Sequence, residues 1–145
     1  MIAYVNNRAL SAGAFLALYA DEIYMSPSGT IGAAQVIKSN GNAASDKADS
    51  AWIAAMTSAA DSSNQNRDVK YAIAMPDASI DIPEYGAGVG DLLTLTASGA
   101  KEVGYSEGTV ATFNELLKVT GYENAQVIST SETFAEIIAR FITNP

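Results

Sequence analysis

The 145-residue chain contains neither histidine nor cysteine, and this restricts the chemistry that its side chains can perform. Catalytic arrangements of the Ser–His–Asp and Cys–His kinds are excluded, and the commonest zinc ligand is absent. Acid–base chemistry near neutral pH would require a carboxylate, a lysine or a tyrosine with a shifted pKa. A serine activated by a lysine satisfies this restriction.

Ser11 is a candidate nucleophile because it lies between an apolar segment and a helix. The run from Ser11 to Ala20 is apolar almost all round, which predicts a buried helix whose first residues are small. At such a junction a serine hydroxyl can project beside free backbone N–H groups, and the helix dipole favours an oxyanion. The alternative is that Ser11 is only an N-cap, which on the local pattern is the more frequent role of serine.

Lys47 is a candidate base for such a serine. It lies at the start of an alanine-rich helix predicted over residues 46–62, and it shares a helix face with Ala51 and Ala55, so that it can point inward. Burial lowers the pKa of a lysine and allows it to accept a proton. The alternative is a solvated lysine in a first helical turn, flanked by Asp46 and Asp49, and the local pattern alone favours this alternative.

Lys38 is the rival base. It is nearer to Ser11 in sequence, but it lies in a polar loop over residues 38–45, where we expect it to stay hydrated and protonated. Lys70, Lys101 and Lys118 have the pattern of surface positions on amphipathic helices.

Strands alternate with helices along the chain. The predicted strands cover residues 2–5, 23–25, 30–31, 92–96 and 125–129, and the predicted helices cover residues 11–20, 46–62, 67–75, 97–103, 113–119 and 132–142. Residues 78–90 predict irregular structure or a short hairpin, and Thr96 stands where an N-cap belongs. The alternation predicts one α/β domain with a largely parallel sheet.

The net charge of −8 arises from sixteen acidic and eight basic residues, with no basic cluster among them. Such a surface repels phosphate backbones, so we expect no nucleic-acid partner. No apolar run reaches eighteen residues, and the first residues do not have the pattern of a signal peptide.

Several segments in order along the chain resemble a known family. They are Tyr4-Val5, the run Arg8 to Ala14, Ala20 to Met25, Gly29 to Ala34, Leu92 to Thr96, and Gly104 with Glu107-Gly108. Together they resemble the NfeD family, membrane-bound serine proteases of the ClpP class that are related to Clp protease and signal peptide peptidase A. The resemblance covers nearly all of the chain.

The resemblance implies roles for individual residues. The family's nucleophile, the serine of a Ser-Ala-Gly motif, corresponds to Ser11, and its lysine base corresponds to Lys47. The backbone N–H of Ala12 would donate to the oxyanion. The family completes its oxyanion hole with a Gly-Gly turn that precedes the region matched here, and losing one donor costs about a hundred- to a thousand-fold in rate.

The resemblance also implies a fold, a substrate and a location. We expect a ClpP/crotonase-like domain of repeated β-β-α units over residues 1–145, partial because its N-terminal part is missing. The implied activity is endoproteolysis of hydrophobic segments in membrane-associated proteins, with a stomatin-like partner, a homo-oligomer and no metal or cofactor. The full-length parent would be membrane-anchored, with this soluble domain on the extracytoplasmic side, and residues 139–145 resemble the segment that enters a membrane helix.

Two other function classes stay open. One is a catalytically silent, ClpP-like assembly or binding module, which the missing glycine turn favours. The other is an acyl-CoA enzyme of the crotonase type, which shares the architecture but relies on carboxylates and gives Ser11 and Lys47 no role.

Overall fold

Short strands and helices alternate along residues 1–37, 45–62 and 66–129, the parts of the chain that the computed structural model describes. The strands are β1 (Ile2–Val5), β2 (Arg8–Leu10), β3 (Glu22–Met25), β4 (Thr30–Gly32), β5 (Thr94–Thr96) and β6 (Gly108–Thr109). The helices are α1 (Ala12–Leu18), α2 (Asp46–Ser62), α3 (Val69–Ala74), α4 (Ala97–Glu102) and α5 (Phe113–Val119), with a 3-10 turn at Pro83–Tyr85.

The strands form two small sheets that are built from a repeated unit. In the first unit β1 and β2 precede α1, and in the second β3 and β4 precede α2. The sheets have the orders β1-β3-β6 and β2-β4-β5, so each unit contributes one strand to each sheet. All pairings are parallel except that of β4 with β5. The predicted α/β fold of repeated β-β-α units is therefore confirmed.

Two parts of the element prediction were wrong, and one lies outside the described residues. Residues 125–129 form no strand and are exposed, because no strand among the described residues pairs with them. The strands β2 and β6 were not predicted, because they are too short to show an alternating pattern. The helix predicted over residues 132–142 falls outside the described part of the chain.

The core is built largely from small side chains, which lets the helices approach the sheets closely. Ala14 and Leu18 of α1 are fully buried, as are Ile31 of β4 and Met56 of α2. Thr96 caps α4 as predicted, since its side chain accepts from the Gly99 N–H. Close packing of this kind fixes α1 relative to both sheets.

Arg67 is a buried cation that holds the end of α1. Its side chain is only 3% exposed, and its guanidinium donates to the carbonyls of Leu18 at 2.9 Å and Ala20 at 2.8 Å. The last carbonyls of a helix have no partner within it and carry partial negative charge, which a cation satisfies. Burial lowers the pKa of Arg67, but the group stays charged at any physiological pH.

The buried Tyr105 predicts how the free energy of unfolding depends on pH. Its side chain is fully buried, its hydroxyl donates to the Asp68 carbonyl at 2.6 Å, and burial raises its pKa above the usual 10.0. A raised pKa contributes stability that is complete below about pH 10 and is lost as the pH rises further. In urea unfolding between pH 7 and pH 11, we expect Tyr105→Phe to be about 1 kcal/mol less stable at pH 7 and to lose less stability above pH 10.

The exposed Tyr122 supplies the control, because Tyr122→Phe should leave both the stability and its pH dependence close to those of the unaltered chain. An equal alkaline loss of stability in the Tyr105→Phe variant and the unaltered chain would contradict the assignment.

Candidate active site

Ser11 has a backbone conformation that non-glycine residues rarely adopt. It immediately precedes α1, with φ 54° and ψ −125°, and its side chain makes no capping hydrogen bond. The residue is exposed. The alternative in which Ser11 serves only as an N-cap is therefore wrong, since a capping hydroxyl would accept from the first turn of the helix. Strained residues of this kind, each costing about 1–3 kcal/mol, cluster at functional sites.

Two carbonyls hold the Ser11 backbone in place. The Ser11 N–H donates to the carbonyls of Gly32 at 3.2 Å and Ala33 at 3.3 Å. On the other side, the Ser11 carbonyl accepts from the N–H groups of Ala14 at 3.0 Å and Phe15 at 3.3 Å. The peptide units on both sides of the serine are thus fixed, one by the end of β4 and one by the first turn of α1.

The segment that supplies those two carbonyls has unusual backbone angles of its own. Gly32 has φ 144° and Ala33 has φ 40°, and the Ala33 N–H donates to the Leu93 carbonyl at 2.9 Å. A Cβ at Gly32 would overlap the Leu93 carbonyl oxygen and lie 2.8 Å from the Thr94 Cα. Only glycine fits there, which explains its place in the run from Gly29 to Ala34.

The N–H of Ala12, the predicted oxyanion donor, lies at the start of α1. Ala12 is the first residue of α1, and an N–H at that position has no acceptor within its own helix. Among the described residues no carbonyl or side chain accepts from it. It is therefore available to a ligand atom beside Ser11.

Lys47 lies in the first turn of α2, but it does not point inward. Lys47 and Ala51 are both exposed, so the predicted inward orientation is wrong. The reason is that the buried face of α2 begins only further along the helix, and its fully buried residues are Met56, Ala59 and Ala60. In the part of the chain that the structure describes, no hydrogen bond or ion pair joins Lys47 to Ser11.

The rival base and the remaining lysines can be placed more briefly. Lys38, the rival base, lies outside the described residues. The predicted surface positions of Lys70, Lys101 and Lys118 are confirmed, because all three are exposed.

The i, i+4 spacing of Trp52 and Met56 favours a core position for both over a substrate pocket, and the structure gives Trp52 a more specific place. It is partly buried, its indole N–H donates to the Ala34 carbonyl at 2.6 Å, and its ring lies 5.0 Å from that of Phe15. These contacts bring α2 against the first turns of α1. No sequence signal beyond the spacing of Trp52 and Met56 could have indicated this role.

Two apolar side chains close to Ser11 in sequence are exposed, and a separate groove near the start of α2 is lined in part by aspartates. Leu10 precedes the serine and is 36% exposed, and Leu16 on α1 is 64% exposed. Near the start of α2 is an open groove of about 500 Å³. Its lining residues are Gln35, Asp46, Asp49, Ser50, Ile53, Pro76, Asp77, Ala78 and Ser79.

Neither a metal centre nor a membrane span is found in the part of the chain that the structure describes. No three residues of the His, Cys, Asp and Glu types come together there in a way that could hold a metal ion. No helix among residues 1–37, 45–62 and 66–129 has the length and apolar character needed to cross a bilayer.

The repeated β-β-α units define the class as ClpP/crotonase-like, and comparison with solved structures agrees. A serine-to-alanine variant of the 1510-N membrane-bound stomatin-specific protease superposes with a TM-score of 0.64 and 29% identity, over 81% of this chain and 53% of that one. A lysine-to-alanine variant of the same protease, in complex with a substrate peptide, gives 0.67 and 24% identity, over 99% of this chain and 70% of that one.

The chain belongs to the NfeD family: the model of the NfeD1b N-terminal domain matches residues 1–130. The membrane protein NfeD1b of Bacillus subtilis (strain 168) is 56% identical over 143 residues, which are 99% of this chain. The chain spans 32% of the length of that relative. The family that the sequence resembled is thereby confirmed.

Substituting Ser11 tests the backbone strain independently of any activity. Glycine adopts positive φ without penalty, whereas alanine does not, and both remove the hydroxyl. We expect Ser11→Gly to be about 1 kcal/mol more stable to urea than Ser11→Ala. Equal stabilities of the two variants would show that the residue is not strained in solution.

Substituting Gly32 tests the close approach that positions the serine. Gly32→Ala adds both an unfavourable φ and an overlap with the Leu93 backbone, so we expect a loss of about 3 kcal/mol in urea unfolding. Gly86 has φ 75° and open space where a Cβ would lie, with nothing within 4 Å, so Gly86→Ala isolates the φ contribution, at about 1 kcal/mol. The prediction fails if both substitutions cost the same.

Proposed function

We propose that this chain is the protease domain of a membrane-anchored serine endopeptidase, with Ser11 as nucleophile and Lys47 as base. The observation that carries the proposal is the strained, exposed Ser11, whose hydroxyl is not used as a cap, in a chain without histidine. A nucleophilic serine needs a hydroxyl held at a fixed position and free of structural hydrogen bonds, and Ser11 meets both conditions.

The proposed reaction is acyl transfer to the serine followed by hydrolysis. The Ser11 Oγ attacks the scissile carbonyl while a neutral Lys47 Nζ takes the hydroxyl proton, and the Ala12 N–H donates to the developing oxyanion. Collapse of the intermediate expels the amine, to which the lysine returns the proton. A water molecule, deprotonated by the same lysine, then attacks the ester; the lysine returns this proton to the leaving Ser11 Oγ, and the released carboxylic acid ionises to a carboxylate.

The position of Lys47 sets a condition on this mechanism. A lysine acts as a base only when it is neutral, which requires that water be excluded from its ammonium group. Since Lys47 is exposed on the first turn of α2, the exclusion has to come from groups that cover that turn. An extended apolar substrate lying over the exposed Leu10 and Leu16 would do so.

The same exposed apolar side chains and the comparisons support the proposed substrate class. A solved structure at 29% identity is described as a membrane-bound, stomatin-specific protease. We extend this to a hydrophobic segment of a stomatin-like protein as substrate, without cofactor. We further propose that residues 1–145 are a partial ClpP-like domain that assembles as a homo-oligomer on the extracytoplasmic side of the membrane.

A silent assembly or binding module is the second candidate function. It is favoured by one observation, the exposure of Lys47 without a described contact to Ser11. In such a module the fold would serve docking, and the serine would be chemically inert.

Covalent labelling by a fluorophosphonate, followed by intact-mass measurement, separates the two candidates. We expect one adduct on the unaltered chain, none on Ser11→Ala, and labelling slower by at least about a thousand-fold on Lys47→Ala. Lys70→Ala removes an equally exposed lysine and should label like the unaltered chain. The same variants are then compared in cleavage of an apolar peptide library.

Each other result has a defined meaning. Normal labelling of Lys47→Ala combined with loss in Lys38→Ala would transfer the base role to Lys38. Absence of labelling and of cleavage, both in this chain and in the full-length parent, would favour the silent module. Binding of coenzyme A with no serine adduct would instead indicate an acyl-CoA enzyme.

A further inference from the structure

Trp52 links three segments that surround the candidate nucleophile. It belongs to α2, it donates to the Ala34 carbonyl at 2.6 Å, and its ring lies 5.0 Å from the Phe15 ring at an interplanar angle of 40°. One side chain therefore connects α2 to α1 and to the chain after β4.

The contact at Ala34 joins Trp52 to the segment that holds the serine backbone. Gly32 and Ala33 accept from the Ser11 N–H, and Ala34 is the next residue. The Ala34 N–H donates to the Met75 carbonyl at 2.9 Å, so this residue is fixed on its other side as well. The indole is thus anchored to a point that cannot move without disturbing the hydrogen bonds to Ser11.

The contact at Phe15 joins Trp52 to the helix that follows the serine. The Phe15 N–H donates to the Ser11 carbonyl at 3.3 Å, so the ring is carried by the turn that begins at the nucleophile. Tyr19 packs edge-on against the same ring, with 5.0 Å between centroids, and fixes its orientation. Both contacts of Trp52 therefore lead to the backbone of Ser11 by a short route.

Among residues 1–37, 45–62 and 66–129, little else supports the first turns of α2. Asp46, Lys47, Ala48, Ser50 and Ala51 are all exposed, and the fully buried residues of this helix follow Trp52 in sequence. Trp52 is therefore the contact that anchors the N-terminal half of α2. Lys47 precedes it by five residues, about 7.5 Å along the helix axis, so a shift of Trp52 is transmitted directly to the lysine.

We propose that Trp52 is a positioning residue that sets the distance between Lys47 and Ser11. The effect of Trp52 on the distance between Lys47 and Ser11 does not depend on the proposed function. Its effect on catalysis rests on the proposed function. Displacing a catalytic group by about 1 Å can lower a rate about a hundred-fold. Loss of the Trp52 contacts should therefore lower kcat and leave KM nearly unchanged, because in this proposal Trp52 acts through the position of α2 and not by binding substrate.

The geometric consequence is tested first, and the absence of cysteine from the sequence makes it accessible. A Ser11→Cys, Lys47→Cys variant of the full chain is treated with a short bifunctional thiol crosslinker, and the rate of internal crosslinking is measured. We expect Trp52→Ala to slow crosslinking about ten-fold, with a smaller effect from Trp52→Phe, which keeps the aromatic contact and loses the hydrogen bond. Met56→Ala is the control, since Met56 lies one turn further along the buried face of α2.

The catalytic consequence is measured in chains that keep Ser11 and Lys47. We expect kcat for an apolar peptide to fall about thirty-fold in Trp52→Phe and KM to stay within about two-fold. Met56→Ala should be the less stable variant in urea and yet retain kcat within about two-fold, which separates positioning from general destabilisation.

The outcomes distinguish failure of the inference from failure of the proposed function. Crosslinking that is equally fast with and without Trp52, or equally slow in Met56→Ala, would overturn the positioning role. Crosslinking that is slower in Trp52→Ala but not in Met56→Ala would support the positioning role, even if the unaltered chain proved inactive. Inactivity of the unaltered chain would count only against the proposed protease activity. An active chain whose kcat is unaffected by Trp52→Phe would overturn the inference and leave the protease standing.

Discussion

The hydrogen bonds from the Ser11 N–H to the carbonyls of Gly32 and Ala33 are the constraint on which the rest of the site depends. A serine at φ 54° is unfavourable by itself, and it persists only where the surroundings over-determine it. Here they do so through a segment that is itself unusual: β4 ends at Gly32, the chain turns with positive φ at two successive residues, and the Leu93 backbone approaches too closely for any side chain at Gly32. The exposed hydroxyl is thus a product of the β4–β5 pairing, which is remote from it in sequence.

The helix that begins at this serine is fixed at both ends by different means. Its start is held by the carbonyls of Gly32 and Ala33, and its end is held by the buried guanidinium of Arg67. A lysine at position 67 has the same charge but lacks the guanidinium fork, so it would not pair both the Leu18 and the Ala20 carbonyls. Between the ends, alanines let α1 approach the sheets closely. A short helix of seven residues would be marginal alone, so its rigidity comes entirely from these tertiary contacts.

How far the sequence could predict the structure depended on whether the signal was local. The helices at 46–62 and 113–119 were predicted with the bounds that the structure has, because composition, caps and stop residues all agree there. Ser11 and Gly32 could be singled out from motifs, but the φ of neither follows from the local sequence, since the strain at Ser11 is imposed by β4.

The predicted inward orientation of Lys47 was wrong for a related reason: helical periodicity defines a face but does not say where along the helix the core ends. Residues 125–129 have strand composition, but no strand of the described residues pairs with them, and pairing between distant segments is not visible in a local pattern.

The uneven burial of α2 bears directly on how a lysine could act as a base here. A lysine that was buried permanently beside the serine would be neutral at all times, at the cost of desolvating an ammonium group in the resting protein. A lysine on the exposed first turn of a helix avoids that cost and stays hydrated until something covers it. In the proposed mechanism α2 would bring this lysine to the serine without burying it, since Trp52, five residues further along, packs against Phe15 and donates to the Ala34 carbonyl. A bound apolar segment would exclude water from the lysine, and the lysine would then become neutral and able to accept a proton. A hydrophobic substrate would therefore both bind more tightly and react faster.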